Sequence, residues 1–497
     1  MRLFRRTHFA AFLAVATIYI AARLWGLTSS CLWFDEIFSV HAAEHDWSSL
    51  WSFVALDLIH PPLFYILLKI WILIGGDGLA WLRVLPVLLA VIAIFPFISL
   101  CKELKISFWT SLFGLLLLAV NGSLIKYSQE VRMYSLLMCL SLFSMWLFTR
   151  YFQKGKSLVA LTIINVFLVW THYFGWFVIV SEIAAILIFQ RIKWRAIVLM
   201  FGVALASFVP WIISVAFAAK EGSGLSQNIG WMARPGIGSI LQLKLAGLEP
   251  FYFQASSADP VSIYRISIPM LLIVGAGFVL FLLGWAKHQS DQKRAVELTA
   301  IFAGLPLFAA FVASWLLPYS IWGTRHLIII FVPISILVAL VLTNITVSSL
   351  RVGAITLILL FTGYAFILRA QQPAPQYIWC AWEQLMDKIE PGTDAHIYAT
   401  EDVIAYHLWY SARNKLNIRV SKLEAGYPED AAYFLPRGFD EVDRIKLADL
   451  SDSEFWIAFR TEASADDLNP IGGFVEVQSN ELDIQNTRAH LVKLLKK

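Results

Sequence analysis

The chain has 497 residues, of which 59% are hydrophobic and only 15% charged, with a mean hydropathy of +0.68. This composition excludes an ordinary soluble globular protein, and repeated apolar runs of about 20 residues, each able to cross a ~30 Å hydrocarbon core, read as a polytopic membrane protein. The net charge of +4 hides an asymmetry: residues 370–497 carry 21 acidic and 13 basic side chains, whereas residues 1–369 carry 14 and 26. No nucleic-acid-binding pattern accompanies the positive balance.

Arg2, Arg5 and Arg6 precede the first apolar run, Phe9 to Leu27, which lacks a small-residue cleavage site and reads as an uncleaved signal-anchor. Residues 28–78 read as a long loop. Within it, His60-Pro61-Pro62 opens an apolar stretch from Leu63 to Ile74 that carries Lys69. It is short for a span and reads as a helix lying in the interface. Further spans fall at roughly 79–101, 108–124, 134–149, 157–173, 174–190, 196–217, 263–285, 296–317, 326–345 and 352–369, about eleven in all. The basic loops Lys102/Lys105, Arg150/Lys154/Lys156, Arg191/Lys193/Arg195, Lys287/Lys293/Arg294 and Arg351 then share the side of the N-terminus, which the positive-inside rule makes cytoplasmic.

The charge shift and the segment Gln371-Gln372-Pro373-Ala374-Pro375 mark a boundary near Arg369. Residues 1–369 form the expected membrane domain and 370–497 an extracytoplasmic α/β domain. In the latter, Trp379–Ile389 and Val403–Ser411 read as helices, and Ala395–Thr400, Asn417–Leu423, Glu454–Arg460 and Phe474–Gln478 as strands. Cys31, Cys101, Cys139 and Cys380 show no ligand spacing and no disulfide framework; a bridge between Cys31 and Cys380, which could face the same compartment, stays open. No metal site is indicated.

Five polar clusters share the external side of this topology. They are Asp35-Glu36, His60-Pro61-Pro62, the stretch Lys126 to Tyr134, Thr171-His172-Tyr173, and Trp322 to His326. Basic residues are scarce on external loops, so Lys126, Arg132 and Arg325 call for an anionic ligand at the surface, and a phosphate suits the planar fork of Arg. The plainer readings are that Glu130 and Arg132 hold loops together, that His172 and Tyr173 belong to an aromatic belt, and that Arg325 snorkels. Glu182 falls well inside a span, where it could be a relay or a ligand and where one buried partner would satisfy it equally well. Carboxylates beside clustered cations suit transfer from a lipid phosphate. A carboxylate takes the proton of an incoming hydroxyl, and the cations stabilise charge growing on the departing phosphate.

At these residues the chain resembles the GT-C superfamily of membrane glycosyltransferases, in the bacterial branch related to dolichyl-phosphate-mannose–protein mannosyltransferases and the lipid A aminoarabinose transferase. The resemblance rests on Trp33-Phe34-Asp35-Glu36, on His60 to Leu63, on Tyr127-Ser128-Gln129-Glu130-Val131-Arg132-Met133-Tyr134, on Thr171-His172-Tyr173 and on Arg325-His326, and it covers roughly residues 1–345. It implies an all-α polytopic fold and a polyprenyl-phosphate-sugar donor. It also implies inverting transfer to a lipid, glycan or protein acceptor on the extracytoplasmic face of the cell membrane, with no required cofactor. Asp35 is then the general base and Glu36 its companion. His60, Lys126, Tyr127, Gln129, Glu130, Arg132, His172, Tyr173, Arg325 and His326 are the candidate donor-phosphate and substrate contacts. The alternative class is a transporter or flippase of lipid-linked sugars, which requires polar residues along a path across the bilayer.

Overall fold

The computed structural model describes residues 2–189, 194–220, 229–253, 262–374, 376–390, 392, 394–413, 415, 417–424, 434–462 and 473–497. Arg191, Lys193 and Pro375 lie outside the described residues. The chain folds into two compact units. One comprises residues 1–27, 59–217 and 232–373, and the other residues 28–58, 218–231 and 374–497.

The first unit is helical because hydrocarbon offers no hydrogen-bond partner, so each apolar run must satisfy its own backbone. Among the described residues, eight helices are long and apolar enough to cross a membrane: Arg6–Leu24, Leu79–Glu103, Tyr134–Lys154, Trp194–Ala218, Tyr264–Leu283, Ser290–Leu316, His326–Thr343 and Ser348–Gln371. The shorter helices Phe108–Val120, Leu158–Thr171 and Gly175–Phe189 correspond to the remaining expected spans. Leu63–Gly75 is a helix of 13 residues, and Ile237–Leu248 is a further helix that the sequence reading does not contain. The chain is an integral membrane protein.

Two spans are interrupted for local reasons. Pro96 has no N–H to offer the Ile92 carbonyl, and the helix breaks at Ala93 into Leu79–Ile92 and Ile94–Glu103. The span expected over 108–124 stops at Val120, because Asn121 caps the next helix, Gly122–Gln129, accepting the Leu124 N–H at 2.9 Å. A Cβ on Gly122 would lie 2.0 Å from the Phe251 carbonyl oxygen. Only glycine lets the 249–251 segment approach and hydrogen-bond there, Gly122 N–H to the Glu249 carbonyl at 3.0 Å.

Three of the five basic loops meet in this unit. Lys105 pairs with Asp291 at 2.9 Å and Lys154 pairs with Glu103, so three loops expected on a common side touch one another. Two arginines far from those loops are buried and absorbed by backbone. Arg23 lies over the Tyr19 ring and donates to the carbonyls of Tyr19, Leu118 and Ala119, and Arg83 donates to the Leu27 carbonyl.

In the second unit a six-stranded sheet has the order β3-β2-β1-β4-β6-β5. The strands are β1 Ala395–Ala399, β2 Ile418–Glu424, β3 Asp443–Lys446, β4 Glu454–Glu462, β5 Phe474–Ile484 and β6 Thr487–Lys496. β1 pairs in parallel with β2 and β4, and β2 with β3; β6 is antiparallel to β4 and β5. The helix Asp402–Ala412 follows β1. Strands β3 and β6 are absent from the sequence reading. The segment expected as one helix over 379–389 is a short turn of 3-10 helix followed by Ala381–Met386.

The largest departure from expectation is residues 28–58. Read as loop, they form the helices Phe34–Glu44 and Trp47–Asp57, and these fold with the C-terminal residues. His41 hydrogen-bonds Tyr406 Oη at 3.0 Å, Glu44 pairs with Arg413 at 2.7 Å, and Arg437 donates to the Leu56 carbonyl at 3.0 Å. Burial holds both His41 and His407 down at about 3, so these rings are neutral parts of the core.

Cys31 and Cys380 form a disulfide across a sequence separation of 349, the bridge that the spacing left open. Disulfides persist in oxidising compartments. Neither cysteine is expected to react with a thiol reagent until reductant is added. Replacing either by Ser should lower the stability of this unit by about 2–5 kcal/mol, read from thermal melting with and without reductant. A free thiol at Cys380 in the untreated protein contradicts the pairing.

Candidate functional site

In the second unit, the fold gives the two adjacent carboxylates different work. Asp35 and Glu36 stand in the first turn of the helix Phe34–Glu44, where negative charge meets the positive end of the helix dipole. Glu36 is 1% exposed, and its carboxylate accepts the Trp33 N–H at 3.1 Å, which closes the helix start. Asp35 is half-buried, and its backbone carbonyl accepts the Ser39 hydroxyl at 3.0 Å. Glu36 therefore acts as a cap, and Asp35 is the more exposed carboxylate of the two.

In the membrane unit, four separated stretches converge on one polar cluster. Pro62 stands at the N-cap of the helix Leu63–Gly75, and His60 lies two residues before it. Arg132 lies in the short break between Gly122–Gln129 and Tyr134–Lys154. His172 sits in the tight turn between Leu158–Thr171 and Gly175–Phe189. His326 opens the 3-10 turn before Phe331–Thr343.

The Arg132 guanidinium reaches His60 Nε2 at 3.4 Å and Tyr65 Oη at 3.5 Å. The rings of His60 and His172 are 5.6 Å apart, and those of His172 and His326 are 5.4 Å apart. His60, Arg132 and His172 are all buried. His172 Nδ1 accepts the Phe174 N–H at 3.1 Å, which leaves the ring proton on Nε2. That Nε2 atom is buried without a hydrogen-bond partner, and so is His326 Nδ1. Buried polar atoms are nearly always answered, so two unanswered ring nitrogens beside a buried guanidinium fit a polar ligand.

The other candidates are placed differently. Lys126 is neutralised by Glu130 at 2.7 Å, one helical turn on, and its ammonium lies 5.6 Å from the Tyr252 ring. Gln129 donates to the carbonyls of Arg23 and Trp25, both at 2.9 Å, which ties the end of the first helix to this break. Tyr127 is buried against Tyr134, with ring centroids 5.3 Å apart. Tyr173 accepts the Trp211 indole N–H at 3.2 Å. Arg325 is half-buried next to His326. Tyr65 is the member of the cluster that the sequence reading lacks. It sits in an apolar helix, where a tyrosine reads as core, and only its position five residues after His60 marks it.

No protein-family model matches this sequence, and no curated protein matches it. Solved structures do. ArnT from Cupriavidus metallidurans bound to undecaprenyl phosphate matches with a TM-score of 0.59 at 12% identity, covering 97% of each chain. The same protein in the apo state matches with a TM-score of 0.57 at 12% identity, covering 98% of this chain and 97% of that one. The Archaeoglobus fulgidus oligosaccharyltransferase in the apo form gives 0.50 at 12% identity over 83% of this chain, which spans only 64% of that protein.

At such identity the likeness defines the fold. The chain shares the fold of ArnT over nearly the whole length of both chains.

Proposed function

We propose that this protein is a glycosyltransferase that moves a sugar from a polyprenyl-phosphate donor to a hydroxyl of a lipid, glycan or protein acceptor on the extracytoplasmic face. The observation that carries the reading is the cluster of Arg132, His60, His172 and His326, in which His172 Nε2 and His326 Nδ1 are buried and unanswered. Arg132 and Arg325 hold the donor phosphate, and His60, His172 and His326 complete its hydrogen bonding. Asp35 takes the proton of the acceptor hydroxyl. The acceptor oxygen forms a bond to the anomeric carbon as the bond from that carbon to the phosphate oxygen breaks, and the electron pair leaves with the polyprenyl phosphate. Attack opposite the leaving group inverts the anomeric centre. The chain's own cations answer the phosphate charge, so the reaction as proposed requires no cofactor.

Support for the donor class comes from the ArnT structure, which carries undecaprenyl phosphate. The Cys31–Cys380 disulfide favours an oxidising, extracytoplasmic setting for the unit that holds Asp35. A transporter instead needs polar groups along the bilayer path. Glu182, an acid deep within a span, is closed off by hydrogen bonds to Ser144 and Asn165.

The deciding experiment uses purified protein in lipid nanodiscs. Undecaprenyl phosphate is expected to bind, and a polyprenyl-phosphate sugar is expected to accumulate in a strain lacking the protein. That accumulated lipid, isotopically labelled, is then expected to lose its sugar to an acceptor in the presence of the protein. Movement of the lipid-linked sugar across vesicles without transfer would establish the flippase reading, and failure to bind any polyprenyl phosphate would remove both.

A further inference from the structure

Glu182 lies within the helix Gly175–Phe189 and is fully buried. Its Oε1 is 2.6 Å from the Ser144 hydroxyl on the helix Tyr134–Lys154, and its Oε2 is 2.8 Å from Asn165 Nδ2 on the helix Leu158–Thr171. Ser144 Oγ is also 2.7 Å from Asn165 Oδ1. The three side chains form a closed triangle, and each side of it requires one hydrogen.

Ser144 supplies one hydrogen and the Asn165 amide supplies a second. The other amide hydrogen of Asn165 points to Met200 Sδ, 3.3 Å away on the helix Trp194–Ala218. The third side of the triangle has no source but the carboxyl group itself. Exchanging the amide oxygen and nitrogen of Asn165 merely moves the shortfall to another side, so the count does not depend on that assignment. An acid that donates here also avoids placing an ionised carboxylate in hydrocarbon.

We infer that Glu182 is a protonated carboxylic acid that clasps three spans by hydrogen bonds and thereby positions Arg132 and His172 for the donor phosphate. The positioning half of this inference rests on the proposed function; the clasp does not. The connection is along rigid elements. The helix that carries Ser144 starts two residues after Arg132, and the helices that carry Asn165 and Glu182 form the hairpin whose turn bears His172. At 1.5 Å per residue the triangle lies about 10–18 Å along these helices from the cluster. The turn itself closes tightly, since a Cβ on Gly175 would lie 2.7 Å from the Leu168 carbonyl oxygen. Tying the three helices at mid-span fixes the spacing of their ends.

Glutamine can replace a neutral acid in this triangle, because its amide N–H can donate to Ser144 while its oxygen accepts from Asn165. Glu182→Gln is therefore expected to keep transfer and donor affinity within about threefold of the unsubstituted protein, the average worth of one interhelical hydrogen bond. Glu182→Ala loses two sides of the triangle, and its donor affinity is expected to fall on the order of tenfold. In a double-mutant cycle, Glu182→Ala combined with His172→Ala should cost less than the product of the two single effects, which a purely structural role would not produce. Infrared spectra of protein with isotope-labelled glutamate at neutral pH should show a protonated-acid C=O stretch that Glu182→Gln removes.

Absence of that band, or a Glu182→Gln variant as impaired as Glu182→Ala, overturns the protonated clasp. A fully multiplicative cycle overturns the positioning role. A protein that shows no transfer at all still answers the first question through its infrared band and melting temperature, so failure of the catalytic reading remains distinguishable.

Discussion

Asp35→Asn is expected to lower the rate of sugar transfer by about 10²–10⁴-fold, the usual contribution of general base catalysis, while donor affinity stays unchanged. Asparagine keeps the shape and most of the hydrogen bonding of the aspartate, but it cannot accept the proton of the acceptor hydroxyl. Glu36→Gln tests the division of labour between the neighbours. Glu36 is buried and accepts the Trp33 N–H, which a glutamine oxygen can still accept, so Glu36→Gln is expected to keep the helix cap, to cost less than about 1 kcal/mol of stability, and to reduce turnover less than Asp35→Asn. Transfer of labelled sugar, donor binding and thermal melting are measured on the same preparations. Near-normal turnover in Asp35→Asn, with an inactive but stably folded Glu36→Gln, reverses the assignment. Activity in both variants removes the general base from the proposal altogether.

Arg132→Ala and Arg325→Ala are each expected to weaken binding of polyprenyl phosphate by about 1.5–3 kcal/mol, roughly 10- to 150-fold in Kd, the range for a charge-assisted hydrogen bond. Lysine is expected to restore only part of the loss, because a point charge cannot reproduce a forked contact. Arg132 is buried and touches His60 and Tyr65, so Arg132→Ala carries a second effect on local packing. Melting temperatures separate that effect from binding, and Arg132→Lys keeps a cation in place where the fold depends on one. Unchanged donor affinity in both alanine variants would leave the two arginines with loop-holding roles only.

Which polar residues gather, and what each is tied to, divides the candidates in a way that residue type does not. Lys126, Arg132 and Arg325 are equivalent on a hydropathy plot. In the fold, Lys126 is answered by Glu130 at 2.7 Å, whereas Arg132 stands against two histidines' worth of unfilled ring chemistry in its cluster. Gln129 and Arg132 are three residues apart in one motif. The former ties down the carbonyls of Arg23 and Trp25, while the latter faces His60 and Tyr65. The adjacent acids Asp35 and Glu36 part in the same manner, because successive helix positions are turned by about 100° and only one of them can reach back to the Trp33 N–H.

The sequence by itself determined the membrane class and the apolar runs that form the helices, and it carries a shift in charge near residue 370. These are properties of contiguous stretches: a long apolar run in hydrocarbon has no alternative to helix, and a change in charge balance is written locally. Of the five basic loops the sequence places on one side, the contacts of Lys105 with Asp291 and of Lys154 with Glu103 join three. The tertiary structure alone decided what depends on distant partners. Residues 28–58 look like loop because their helices are short and their packing partners, Tyr406, Arg413 and Arg437, lie more than 300 residues away. The Cys31–Cys380 bridge, the convergence of His60, Arg132, His172 and His326, and the closed triangle around Glu182 are long-range pairings of the same kind. Local periodicity and composition carry no record of which distant side chain will satisfy a buried polar group, so only the folded chain supplies it.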